Sequence, residues 1–254
     1  MKNVTAMYFS PTETTEYITE SIAFKLSLTA NTVDLTRPAA REKTYNFDEN
    51  DILIIGFPVY GGRIPQVLLP VLDNIHGKGT LAVIAGVYGN RAYEDALAEA
   101  QDILENNGFK VIAASAFIGE HSYTSKVATD RPDDADLRIA VDFGAAIVQK
   151  LENEDFSTPE IPGNRPYKDG MPDMPFKPVT SEACNSCGSC ALVCPMGIID
   201  SKNPSETVDG CILCCACVKT CPKEARSFTA ERLMQIKAML EEKCLDRKEP
   251  DLFI

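Results

Sequence analysis

Nine of the ten cysteines in this 254-residue chain fall between Cys184 and Cys221, and the tenth is Cys244. Residues 184–195 read CNSCGSCALVCP and residues 211–222 read CILCCACVKTCP. Each run is Cys-x2-Cys-x2-Cys-x3-Cys-Pro, and the second repeats the first at an offset of 27 (211 − 184 = 27; 221 − 194 = 27). Thiolates select soft metals and iron–sulfur clusters. Three cysteines two residues apart can wrap one face of a cubane, while the fourth, carried across a short turn that ends in proline, points away from it. The competing reading is structural zinc, which takes four ligands, commonly as paired Cys-x2-4-Cys units with histidine among them. Here two four-cysteine runs repeat in register with no histidine nearby, so two 4Fe–4S clusters are expected. Cys215 aligns with Gly188 of the first run and reads as a small buried residue beside a cluster, with a ligand exchange with Cys214 left open. Cys244 is in line with Leu233, Ile236 and Leu240 on an expected helix over 230–243 and reads as core.

A second set of residues is in the first half. Ser10-Pro11-Thr12-Glu13-Thr14-Thr15 is a hydroxyl-rich turn ahead of a helical stripe. Such a turn binds phosphate because backbone N–H groups and the helix dipole converge on it, although hydroxyls at a helix start also serve simply as caps. Two further stretches, Pro58-Val59-Tyr60-Gly61-Gly62-Arg63 and Tyr88-Gly89-Asn90-Arg91-Ala92-Tyr93, each place tyrosine beside glycine after an apolar run. Aromatic rings there can sandwich a planar heterocycle, and glycine permits close backbone approach. His121, in Gly119-Glu120-His121-Ser122-Tyr123, is within reach of the same region, but a loop histidine exposed and without function is the more ordinary expectation.

The elements that must position these loops alternate. Apolar runs at 4–9, 51–57 and 81–87, with weaker ones at 32–35 and 110–118, read as strands. Helical stripes read over 14–28, 92–107 and from about 133 to 151. A helix from Pro65 to about Ile75 is kinked or shortened at Pro70, and Gly108 caps the helix before it. Five strands alternating with helices give an α/β doubly wound parallel sheet, whose ligands sit outside the carboxyl ends of the strands. The loops after the first, third and fourth strands are the three quoted above.

Residues 1–152 carry 21 acids and 13 bases, 153–174 carry five and two, and 175–226 carry five of each, within a total net charge of −12. The acidic balance argues against nucleic acid or an anionic membrane as partner. The apolar runs are far short of the ~20 residues of a membrane-spanning helix. No charged-then-apolar leader is read at the start, and the clustered thiols point to a reducing cytoplasm. Pro159, Pro162, Pro166, Pro172, Pro175 and Pro178 make 153–180 an extended linker. A solvated spacer is the plainer expectation; the alternative is a strap packed on both domains, using Ile161, Tyr167, Met171, Met174 and Phe176.

On these residues, 1–152 resembles a flavodoxin-like FMN domain, and 181–228 resembles a bacterial-type ferredoxin with two 4Fe–4S clusters, followed by a helix and tail over 229–254. The order resembles a family of fused flavodoxin/ferredoxin electron carriers of anaerobes. The resemblance implies a flavodoxin-like five-stranded sheet and then a small α+β ferredoxin domain. It implies that one cluster takes Cys184, Cys187, Cys190 and Cys221, and the other Cys211, Cys214, Cys217 and Cys194. It further implies FMN phosphate on Ser10, Thr12, Thr14 and Thr15. Tyr60 and Tyr88 or Tyr93 would flank the ring, with Pro58, Val59, Gly61, Gly62 and Gly89 around it and Asn90 and Arg91 at its edge. Glu13 stands where the flavodoxin phosphate loop has glycine, which is expected to alter the backbone or weaken FMN binding unless the carboxylate points to solvent.

The resemblance implies electron transfer, with redox proteins or a small electron acceptor as partners and self-association left open. No dedicated catalytic acid, base or nucleophile stands out. The competing functions are an FMN-dependent reductase of a quinone or nitro compound fed through the clusters, and an iron–sulfur binding or sensor module without flavin.

Overall fold

The computed structural model describes residues 2–172 and 174–254. In chain order the elements are β1 (Asn3–Tyr8), α1 (Thr14–Leu26), β2 (Asn31–Asp34), α2 (Pro38–Arg41), β3 (Tyr45–Phe47), β4 (Asp51–Pro58), a 3-10 turn (Gln66–Leu68), α3 (Leu69–Leu72), β5 (Ile75–Gly77), β6 (Thr80–Tyr88), α4 (Ala96–Asn106), β7 (Phe109–Ile118) and α5 (Asp134–Glu152). The second half contributes β8 (Val179–Thr180), α6 (Ser189–Val193), α7 (Ala216–Lys219), β9 (Arg226–Ser227), α8 (Glu231–Lys243) and β10 (Asp251–Phe253).

The main sheet has the order β10-β7-β6-β4-β1-β2. Within it β2-β1-β4-β6-β7 is parallel throughout. Counting these five strands alone, the order is 2-1-3-4-5, the flavodoxin-like winding, with its switch point beside β1. The apolar strands explain the burial on both faces. Met7, Leu53, Ile55, Ala82 and Ile84 point to the face covered by α4 and α3. Val4, Ile52, Ile54, Leu81 and Val83 point to the face covered by α1 and α5. Each fully buried aliphatic side chain contributes roughly 1.5–3 kcal/mol.

Three features differ from the sequence-based expectation. The sheet has six strands rather than five, because the C-terminal β10 adds antiparallel to the outer edge of β7. The helix expected from Pro65 to Ile75 is cut to a 3-10 turn and one α-turn, consistent with prolines flanking and interrupting it. The segment before β8 is not a solvated spacer. Ile161 is buried against the α4 face of the sheet. Asp95 accepts from the Asn164 and Lys168 backbone N–H groups, and Arg165 pairs with Asp102 at 2.6 Å. The Tyr167 hydroxyl also donates to Asp102. The segment is a strap laid along α4, and it leads directly into β8, which pairs with β9 and closes the cysteine-bearing domain.

The tail returns to the first domain. Asn90 Nδ2 donates to the carbonyls of Cys244 and Asp246, both at 2.8 Å, and Arg131 donates to Lys248 O. Leu240 of α8 and Cys244 pack on Val127. Among the described residues, no helix is long and apolar enough to cross a membrane.

Candidate redox centre

The two cysteine runs build two separate cavities. The first is lined by Cys184, Cys187, Cys190 and Cys221. The second is lined by Cys211, Cys214, Cys217 and Cys194, with Cys215 beside them. Each cavity therefore receives three sulfurs from one run and the fourth from the other. The chain achieves this crossing with short helices. In each run the third cysteine lies in a short helix, α6 or α7, and the fourth follows its end. The residue ahead of each turn is left-handed: Gly188 has φ 78° and its counterpart Cys215 has φ 63°. Cys215 accordingly occupies a conformation that favours glycine, with its buried Sγ facing Leu213 O.

Burial pushes the Cys214 thiol up to about 12 and the Cys217 thiol to about 11. Such groups are thiols at neutral pH unless a cation replaces the proton, which is what iron ligation does. Among the described residues, no three His, Cys, Asp or Glu side chains converge on a single-ion site. Four cysteines at each cavity are the donor type and number that a 4Fe–4S cluster takes.

A third cavity, of about 380 Å³, opens at the carboxyl ends of the strands. This lies within the usual range for small-molecule and cofactor sites. Its walls include Thr12 and Thr14 after β1, Pro58, Val59, Tyr60 and Gly61 after β4, Tyr88, Gly89 and Arg91 after β6, and His121 and Tyr123 after β7. The Tyr60–Arg63 turn explains its glycines. Tyr60 and Arg63 exchange backbone hydrogen bonds at 3.0 and 3.2 Å, and Gly61 and Gly62 both have positive φ, 61° and 85°, as a two-residue type I′ turn demands.

The hydroxyl-rich turn after β1 also takes a definite form. Glu13 has φ 65°, the conformation glycine favours, while its carboxylate is exposed to solvent. The glutamate itself adopts the left-handed conformation and turns its charge outward. Ser10 Oγ accepts the Glu16 N–H at 3.0 Å, which makes Ser10 a cap for α1. Thr15 is buried with its Oγ1 unpartnered. That orphaned hydroxyl, next to first-turn N–H groups that lack intrahelical acceptors, fits a phosphate.

Several expected flavin contacts are differently placed. Tyr93 does not line the cavity. It stacks edge-on to Tyr88, with ring centroids 5.5 Å apart, under the tail strand β10, and burial together with a hydrogen bond to Asp251 raises its phenol. Asn90, 1% exposed, clasps the tail instead of facing the cavity. Gly62 lies against Glu94, whose carboxylate a Cβ there would strike. His121 is not an exposed loop residue. Its Nδ1 accepts the Tyr123 N–H at 3.1 Å, leaving the proton on Nε2. Burial, with Lys219 and Arg91 adding to it, brings its imidazole down to about 4.

The remaining walls come from residues that sequence reasoning had not assigned to this site. The strap supplies Lys168, Met171 and Met174, and α8 supplies Ile236 and Met239. Arg63 ties the strap to the site: it grips Glu99 through two bonds of 2.6 and 2.8 Å and donates to Lys168 O. Ile212 and Leu213, inside the second cysteine run, also line the cavity, and Ile212 lines the second cysteine cavity as well. Burial raises the Tyr60 and Tyr123 phenols, and the Cys211, Cys214 and Cys215 sulfurs add to the effect on both.

Known proteins resemble parts of the chain. Residues 177–200 match the family described as "4Fe-4S binding domain". An uncharacterized ferredoxin of Methanocaldococcus jannaschii is 36% identical over 83 residues, 30% of this chain and 49% of that protein, so the match spans about half its length. Among solved structures, a flavodoxin from the domain Archaea covers 60% of this chain and 99% of its own at 14% identity, TM-score 0.41. A Fusobacterium nucleatum flavodoxin bound to flavin mononucleotide covers 59% and 99% at 20% identity, TM-score 0.40. Oxidised flavodoxin 2 from Bacillus cereus covers 58% and 99% at 18% identity, TM-score 0.41. The architecture is a flavodoxin-like α/β fold joined to a 4Fe–4S ferredoxin-type domain.

Proposed function

We propose that the chain is an electron-transfer protein that pairs two 4Fe–4S clusters with one FMN. The observation that carries this reading is Ile212, one residue that lines both the second cysteine cavity and the 380 Å³ cavity. When bound, clusters exchange single electrons and a flavin one or two, so adjacency joins the two kinds of chemistry.

The chain's own residues support each part. The four cysteines of each cavity would ligate one cluster. Thr12, Thr14, Thr15 and the first turn of α1 would hold the FMN phosphate. Tyr60 and Tyr123 wall the ring site on its cluster side. Arg91 and Lys168, both paired to Glu94, supply positive charge at the cavity. Met171 and Met174 of the strap and Ile236 and Met239 of α8 add an apolar wall. Lys219 on α7 pairs with Glu120 at 2.6 Å, and Arg41 on α2 donates to Pro195 O beside Cys194, holding the domains together. The first cavity faces solvent through the exposed Cys187, which suits exchange with an outside redox protein.

Anaerobic purification with iron, sulfide and flavin counting tests the proposal. Roughly eight irons and one FMN per chain are expected. Four irons, or clusters without FMN, would defeat it.

A further inference from the structure

Arg226 sits in β9 and is 3% exposed. Its Nη1 donates to Pro204 O at 2.7 Å and Thr180 Oγ1 at 3.2 Å, and its Nη2 donates to Thr207 Oγ1. Its Nε is buried without a partner. Among the described residues, its hydrogen-bond partners include no carboxylate. A buried guanidinium without a counter-ion is strongly unfavourable, so the folded protein must supply an anion here.

The available sulfurs belong to both cysteine sets. Arg226 lines the first cavity, and its Nη1 faces Cys190 Sγ at 3.8 Å. Thr207, which accepts from its Nη2, lines the second cavity. Cys190 and Cys217 are the third cysteines of their runs and pack in one buried cluster. The repeat does not itself call for a cation at this place. At the offset of 27, position 226 corresponds to Ile199 (226 − 27 = 199), which is buried in that same cluster. The second half of the repeat thus carries a charge where the first carries an aliphatic side chain.

We propose that Arg226 is a positioning residue shared by the two clusters: the clusters are its counter-ion, and its fixed charge raises the reduction potential of both. The inference rests on the two-cluster reading above. A cubane held by four thiolates is a net anion and becomes more negative on reduction, so a buried cation between two of them favours the reduced form of each.

The test uses the full-length protein, purified anaerobically, with Arg226→Gln and Arg226→Lys. Glutamine removes the charge and keeps an N–H donor; lysine keeps the charge. Iron counting comes first: about four irons in the unaltered protein would end the two-cluster reading, and the shared role with it. With about eight, both potentials are measured by EPR-monitored redox titration. In Arg226→Gln each reduction equilibrium is expected to shift at least tenfold toward the oxidised form, 59 mV for a one-electron couple. In Arg226→Lys both are expected to stay within about threefold of the unaltered protein. If glutamine blocks cluster assembly while lysine permits it with both potentials kept, the requirement for charge stands. Unchanged potentials in a loaded Arg226→Gln, a fall confined to one cluster, or loss of assembly in both variants would overturn the proposal.

Discussion

The two cysteine cavities share a spacing and differ in almost everything around it. The first is a surface feature: Cys187 is exposed, and Asn185 and Lys223 stand at its lining. The second is interior: Cys214, Cys215 and Cys217 are buried, and Ile212 separates it from the cavity at the head of the parallel sheet. Gly188 at the start of α6 becomes Cys215 at the start of α7, with the same left-handed backbone. The repeat specifies where sulfur goes. The contacts with the first domain specify which site faces outward and which faces the flavodoxin-like half, and those contacts involve residues far apart in sequence.

The largest expected effect separates the cavities by their crossing cysteines. Cys221→Ala should cost the outward cluster although Cys221 belongs to the second run, and Cys194→Ala should cost the inward one. Iron content in each variant is expected to fall by about half, with different EPR signals surviving. If Cys221→Ala removes the signal that Cys214→Ala removes, the crossing is wrong.

Next comes the strap that roofs the inward side. Arg63→Ala leaves the buried Glu99 carboxylate, 4% exposed on its side chain, without its cation. A loss of about 3 kcal/mol is expected in chemical denaturation, with weaker FMN binding, because the Lys168 carbonyl is released too. Unchanged stability would show that the strap is held by its other contacts.

A smaller effect is pH-dependent and belongs to the inward side alone. The His121 imidazole is brought from 6.5 to about 4 in the folded chain. Between those values the unfolded chain binds the extra proton, so this residue's contribution to stability falls as pH drops from about 6.5 to 4 and changes no further below. The loss is at most about 3 kcal/mol. Stability curves of His121→Gln should be flatter across that window; parallel curves for the two proteins would remove the assignment.

The smallest is Glu13→Gly. Relief of the left-handed backbone is offset in part by the greater freedom of glycine in the unfolded chain, for a net gain of up to about 1 kcal/mol. Removing the carboxylate should also tighten FMN, read by flavin fluorescence titration. Equal dissociation constants would mean that the outward-turned carboxylate is already harmless.

The parallel sheet and the meeting of the three loops at its carboxyl ends were legible because each depends on local pattern: an apolar run, a turn residue. The misplaced residues fail for a common reason. Tyr93 and Asn90 sit at a strand's carboxyl end and have the right chemistry for a ring site, yet both are used by the returning tail through Asp251, Cys244 and Asp246. Nothing near position 90 announces a partner some 150 residues later. The strap illustrates the same point in reverse. Its prolines correctly exclude helix, but extended chain fits a solvated spacer and a packed strap equally well until Asp95, Asp102 and Arg63 are seen to hold it. Glu13 was legible as an anomaly, and only its φ shows that the backbone keeps the glycine-like turn.

With both cysteine cavities and the sheet-head cavity filled as proposed, the inward cluster, and not the outward one, adjoins the flavin. Power saturation of the flavin EPR signal in partly reduced protein tests it directly, since a nearby paramagnetic cluster speeds flavin relaxation steeply with proximity. Fast relaxation is expected in the unaltered protein and in Cys221→Ala, and slow relaxation in Cys194→Ala. Fast relaxation retained in Cys194→Ala and lost in Cys221→Ala would contradict it.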